Sequence, residues 1–271
     1  MHKIISMVEK ISLGRHYFKV AFLLRESIFL SSVLTNSEVW YGVTKADQEE
    51  LEILDRPRIF SVPNSTQTTA LYLETGCMRI GTIIKARRVN YLHYLVKLPE
   101  EEMLSRFFNC QWLDEGQHDW TKQVKIDLAD FNLPTNLETI RTKSTFSWKT
   151  LVKKRAKEFE LRNLLEIKEE KNKSKMKNLK YEMLKPQEYL ANLDVREAKA
   201  VFRFRVRMAQ FSGNFKGHGP PEPCPLCGQH EDLQDLCFQC PVVIGKLELT
   251  EEYENIFEKN ISKKLARILS T

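Results

Sequence analysis

Cys224-Pro225-Leu226-Cys227 and Cys237-Phe238-Gln239-Cys240 form two C-x-x-C pairs nine residues apart. Four thiols so spaced can surround one tetrahedral zinc ion, because each pair offers two sulfurs from one tight turn and the loop between them closes the site. A redox disulfide needs a single pair, so two pairs within seventeen residues favour a metal over a redox function. His230, in the intervening loop, is an alternative ligand, since neutral imidazole also suits zinc. Cys77 and Cys110 are expected to be isolated core thiols.

Other chemistries lack their residues. There is no H-E-x-x-H, no G-x-S-x-G, no phosphate-loop lysine-serine pattern and no nuclease-like Pro-Asp followed by a paired acid and lysine. Two-metal nucleotidyl transfer needs clustered carboxylates, and no two aspartates are adjacent in this chain. Asp127 and Asp130 read as a solvated helix face. His16, His93 and His118 stand alone and are assigned no role. The chain is therefore expected not to be an enzyme and to take no small-molecule substrate.

Charge points to a partner. The 271 residues carry a net charge of +6, and from Lys149 to Lys216 there are 19 Lys and Arg against 9 Asp and Glu. An excess gathered in one stretch is the footprint of a polyanion binder, although a solvated helix face has the same composition. Within it, Arg196, Lys199, Arg203 and Arg207 recur at three and four residues and would line one helix face able to track phosphates. The alternative is that these cations pair with the acidic remainder of the chain.

The elements that must position these residues are helical. Apolar positions recur with helical spacing from Tyr17 to Leu34, where Lys19, Arg25 and Glu26 argue for a buried helix rather than a membrane anchor. Thr44 is placed to cap a helix starting at Lys45, and Gly76 to end one carrying Ala70, Leu71 and Leu73. A long helix should run from Ile80 to Leu95, stopped by Pro99, with further helices near Met103 to Leu113 and Trp120 to Phe131. Phe146 to Lys180 is lysine-rich with an apolar side and a frayed end over 171–180. Phe202 to Met208 alternates like a strand, but Val195, Ala198, Phe202 and Val206 fit a helix, which is the preferred reading. Tyr253, Ile256, Phe257, Ile261, Leu265, Ile268 and Leu269 mark a closing amphipathic helix. No secretory cleavage pattern follows Met1-His2-Lys3, so an intracellular chain with reduced thiols is expected, nuclear or cytoplasmic.

Several blocks together resemble the C-terminal portion of non-LTR (LINE-like) retrotransposon reverse transcriptase polyproteins. They are 24–27 (LRES), 36–41 (NSEVWY), 71–76 (LYLETG), 87–94 (RRVNYLHY), 202–208 (FRFRVRM), 213–217 (GNFKG) and the cysteine cluster. In that family such blocks follow the polymerase palm, so the resemblance implies a mainly α chain: a thumb-like helical bundle (1–147), a basic helical connector (148–216), a zinc knuckle (217–245) and a C-terminal amphipathic helix (246–271). It implies a fragment that grips RNA and RNA–DNA hybrid and is inactive without its palm. Lys85, Arg87, Arg88, Lys153, Lys154, Arg155, Arg196, Lys199, Arg203 and Arg207 would contact phosphates, and Tyr91 and Tyr94 could stack on bases. The metal set would be Cys224, Cys227, Cys237, Cys240 and His230 around structural zinc. One departure is that Leu236 stands where the family knuckle resembles C-x-x-C, histidine, cysteine. A shift to Cys237, or recruitment of His230, would restore the ligand count, whereas a decayed knuckle would hold no metal. The alternative function is a helical protein-interaction scaffold, or a relic without nucleic-acid affinity.

Overall fold

The computed structural model describes residues 16–55, 68–114, 120–170, 180–206, 208–209, 223–224, 226–229 and 240–247. Among the described residues every regular element is helical, in agreement with a mainly α chain. No described helix is long and apolar enough to cross a membrane.

The first helical rod is α1 (Tyr17–Leu24), a π turn (Arg25–Phe29) and α2 (Leu30–Val33). The wider turn places the Arg25 side chain inside the fold, where its guanidinium grips both oxygens of buried Asp55 and donates to the Met78 carbonyl. A π turn is a one-residue insertion in an α-helix, and here it lets a charged side chain reach a partner thirty residues away. Asp55 ends α3 (Lys45–Asp55). That helix is capped as expected: the Asp47 amide donates to Thr44 Oγ1 at 3.2 Å, and the Thr44 amide returns a bond to Asp47 Oδ2 at 2.8 Å.

α4 (Thr68–Thr75) ends at Gly76, whose φ of 64° is left-handed. A Cβ there would collide with the backbone of Lys185 and Pro186, so glycine serves both the turn and a close chain crossing. The central element is α5 (Ile80–Val96), buried along most of its length. Against it pack α6 (Met103–Leu113), α7 (Trp120–Asp130), the short α8 (Leu137–Arg141) and the long α9 (Thr145–Glu170). Asn136 caps α8 by accepting from the Glu138 and Thr139 amides. α9 lies antiparallel on α5: Trp148 Nε1 donates to the Val89 carbonyl at 3.2 Å near one end, while Glu160 accepts from Arg79 and Thr82 at the other.

After α10 (Tyr189–Asn192), α11 (Val195–Arg205) resolves the strand-or-helix question as helix. Asp194 and Glu197 form a capping box, which fixes the start, and Ala198, Phe202 and Val206 are buried at helical spacing. α12 (Pro241–Leu247) closes the described chain.

Two larger cores result. One gathers Val89, Leu92, Val124, Leu128, Trp148 and Val152. The other joins Tyr17 and Phe18 to Tyr72, Leu164, Tyr181, Leu190, Phe202 and Val206, so α11 shares a core with the first helix. The expected division between 147 and 148 falls inside α9, and residues from both sides of it pack together. Two expectations need correcting. Asp127 is fully buried rather than solvated, because it occupies the inward face of α7 beside Val124 and Leu128, and Cys110 is exposed rather than a core thiol. The expected frayed end over 171–179 and the closing helix over 248–271 lie outside the described residues, as does 1–15.

Candidate functional site

Cys224 and Cys227 lie in a tight turn. The Gly228 amide donates to the Cys224 carbonyl at 2.8 Å, and Gly228 has φ of 65°, a left-handed conformation that suits glycine at the end of such a turn. Cys240 enters from the other side at the start of α12. Pro241 in the first helical position costs no hydrogen bond there, and the Ile244 amide donates to the Cys240 carbonyl at 2.9 Å. The three sulfurs lie within 4.8 Å of one another, and those of Cys224 and Cys240 are 4.0 Å apart. Sulfurs bound to tetrahedral zinc at 2.3 Å would be about 3.8 Å apart, so the three thiols are close enough to share one ion. Burial raises the Cys240 thiol pKa, while the Val243 and Val242 amides act to lower it. Cys237 and His230, either of which could complete the ligand set, lie outside the described residues.

The expected phosphate-binding residues fall into two groups. Those on α5 face inward. Arg88 is buried, with Nε 2.7 Å and Nη2 3.1 Å from the two Asp127 oxygens and Nη1 3.2 Å from the Trp40 carbonyl. Arg87 donates to the carbonyls of Leu34 and Leu30 and to Ser37 Oγ. Lys85 pairs with Asp130, stands 4.0 Å from Asp127 and lies 5.1 Å from the centre of the Phe159 ring. These three cations hold α5 to its neighbours, which corrects the expectation that they form an outward phosphate face. Burial pushes the Asp127 carboxyl above its ordinary range, with Arg88 and Lys85 pulling it back.

The second group is on the surface. Lys153 and Lys154 are exposed and Arg155 is half-buried, with Glu158 lying 4.0 Å from Lys154 and 3.0 Å from Arg155. Arg196 is exposed at the start of α11. Lys199 sits 5.7 Å from the Tyr17 ring centre, and Arg203 is half-buried. Arg207 lies outside the described residues. Tyr91 and Tyr94 stack on each other at 5.7 Å, with Tyr91 edge-on to Trp120, leaving Tyr94 the outer ring.

Two features escape local sequence reading. Arg205 sits inside α11 and donates to both oxygens of Glu74 at 2.9 Å, and Tyr181 and Tyr189 donate to the same carboxylate. Buried His93 stacks on Trp148 at 5.5 Å and donates from Nε2 to the Lys143 carbonyl at 3.0 Å. Burial lowers its pKa, the ammonium groups of Lys97 and Lys149 push the same way, and the carbonyl contact opposes them. The signal for Asp127 was available, because its spacing from Val124 and Leu128 places it on the buried face of its helix.

No family model matches the chain, and no curated protein or solved structure matches it either.

Proposed function

We propose that this chain is a nucleic-acid-binding module related to the C-terminal portion of non-LTR retrotransposon reverse transcriptases, inactive as a polymerase without a palm. The observation that carries the reading is the trio Cys224, Cys227 and Cys240, close enough to share a metal, in a chain that also carries exposed Lys153, Lys154 and Arg196 and half-buried Arg155, Lys199 and Arg203. Cys224, Cys227 and Cys240 would hold zinc, with Cys237 or His230 as fourth ligand. Bound zinc would supply a structural cross-link rather than reactivity, fixing a segment too small to build its own core. The exposed cations would neutralise phosphates of RNA or an RNA–DNA hybrid and release counterions.

Titration of labelled structured RNA and of an RNA–DNA hybrid across a salt series tests this, with zinc content measured on the same sample. The expected result is near one zinc per chain and a binding constant that falls steeply with salt, less so in Arg196→Ala/Arg203→Ala. Zinc-free protein without affinity at low salt would overturn the reading.

One observation favours a second reading, a protein-docking scaffold. Met103, Phe107 and Leu113 on α6 are 86%, 60% and 82% exposed, an apolar face of the kind that marks a docking surface. Concentration-dependent self-association, abolished by Phe107→Ser, together with absent RNA binding, would favour it.

A further inference from the structure

We infer that the face where the end of α5 meets the start of α9 binds a single-stranded polynucleotide, with Lys97, Lys149 and Lys153 on its phosphates and Phe146 stacking on a base. The inference rests on the nucleic-acid reading above and assigns it a surface that keeps Lys153 of the residues first expected to carry it and adds Lys97, Lys149 and Phe146.

Three observations converge here. The first is placement. His93 and Trp148 stack at 5.5 Å and join the two helices, so Lys97, one turn beyond His93, and Lys149, next to Trp148, are held on one rigid junction. His93 also donates from Nε2 to the Lys143 carbonyl at 3.0 Å, which ties the chain entering α9 to the same end of α5. The second is availability. Lys97, Lys149 and Lys153 are exposed, and none has an acidic partner among the described residues, unlike Lys85, Lys154 and Arg155. Like charges brought together without neutralising acids cost stability unless a polyanion accompanies them.

The third observation is aromatic. Phe146, Lys149 and Lys153 recur at three and four residues on α9, so they share one face, and Phe146 is 83% exposed. Tyr94, 52% exposed, stands one turn before Lys97 and is braced from behind by Tyr91. Exposed rings alternating with lysines are the chemistry of single-strand binding, because unpaired bases present π-faces while the backbone runs along the charges. A duplex hides those faces, and an acidic protein segment would satisfy the lysines but not the rings. Glu100, Glu101 and Glu102 follow Pro99 and mark where the basic surface ends.

The full chain, titrated by fluorescence anisotropy against 15-nucleotide oligo-uridylate, oligo-thymidylate and a mixed-sequence DNA duplex, tests the assignment. All substituted side chains are exposed, so the variants should fold, which circular dichroism checks. Lys97→Ala/Lys149→Ala/Lys153→Ala is expected to weaken single-strand binding roughly tenfold at moderate salt and to lower the salt slope by about 2. Phe146→Ala should weaken single-strand binding about fivefold or more and leave duplex binding unchanged. Either single strand serves as support, and the ratio of the two reports on the 2′-hydroxyl. If the chain binds single strands and both variants bind as tightly as the parent, this surface is refuted while the nucleic-acid reading stands on α11 and the knuckle. Equal weakening of duplex by Phe146→Ala would also refute it. Absence of binding by the unsubstituted chain to any of the probes used here or to structured RNA would overturn both.

Discussion

Glu52 shows how far packing can move a single side chain. It lies half-buried on α3, and burial raises its carboxyl to about 7, with Glu160, Asp55 and Glu49 reinforcing the shift and Arg79 opposing it. The folded chain therefore holds a proton that the unfolded chain releases near the ordinary glutamate value of 4.5. Stability from this group is full below that value and is lost as pH rises through 7. Glu52→Gln should accordingly raise Tm at pH 8 and change it little at pH 5, as thermal scans in both buffers would show. An equal effect at the two pH values would mean that shape rather than charge governs the site.

Among elements, the most consequential junction is the one that Glu74 makes. Its buried carboxylate accepts from Tyr181, from Tyr189 at 2.8 Å and from Arg205 at 2.9 Å, tying α4 to α11 and to the chain before it. Burial, with the Glu74 charge next in weight, raises both phenols far above their ordinary value, so they stay donors at any physiological pH. Arg205→Met would leave the carboxylate without its cation and should cost about 3–5 kcal/mol, whereas adding Glu74→Leu should recover much of the loss. Urea unfolding of the single and double variants distinguishes these. Nothing local announces this junction. The cap at Thr44, the stop at Gly76 and the span of α5 were legible because each depends on neighbours within a turn. Arg205 with Glu74, and Arg88 with Asp127, pair residues 131 and 39 positions apart, and a charged residue's solvent face or burial is decided by such partners. The gathering of Cys224 and Cys227 was legible for the same reason as the Thr44 cap, since that pair sits in a local turn. The basic residues were legible as a composition but not as a surface, since the fold turns those of α5 inward and leaves Lys149 and Lys153 outside.

At the scale of the whole molecule, the segment 180–206 is packed inside rather than appended. Tyr181, Leu184, Tyr189, Leu190, Phe202 and Val206 share a core with Tyr17, Phe18, Leu71 and Tyr72, and burying a large apolar side chain contributes about 1.5–3 kcal/mol. Gly76 also allows the backbone at Lys185 and Pro186 to cross closely over the end of α4. One cleavage engineered between Glu170 and Lys180 should therefore leave two pieces that co-elute in gel filtration, and that separate once Glu74→Ala removes the shared carboxylate. Pieces that part immediately after cleavage would contradict the packing described. Glu74 thus acts as a fastener between two lengths of chain, and its deeper consequence concerns ancestry and inheritance rather than stability. A fold closed by side chains instead of by chain continuity tolerates changes of length in the intervening stretch, so insertions and deletions can accumulate there without the two halves losing each other.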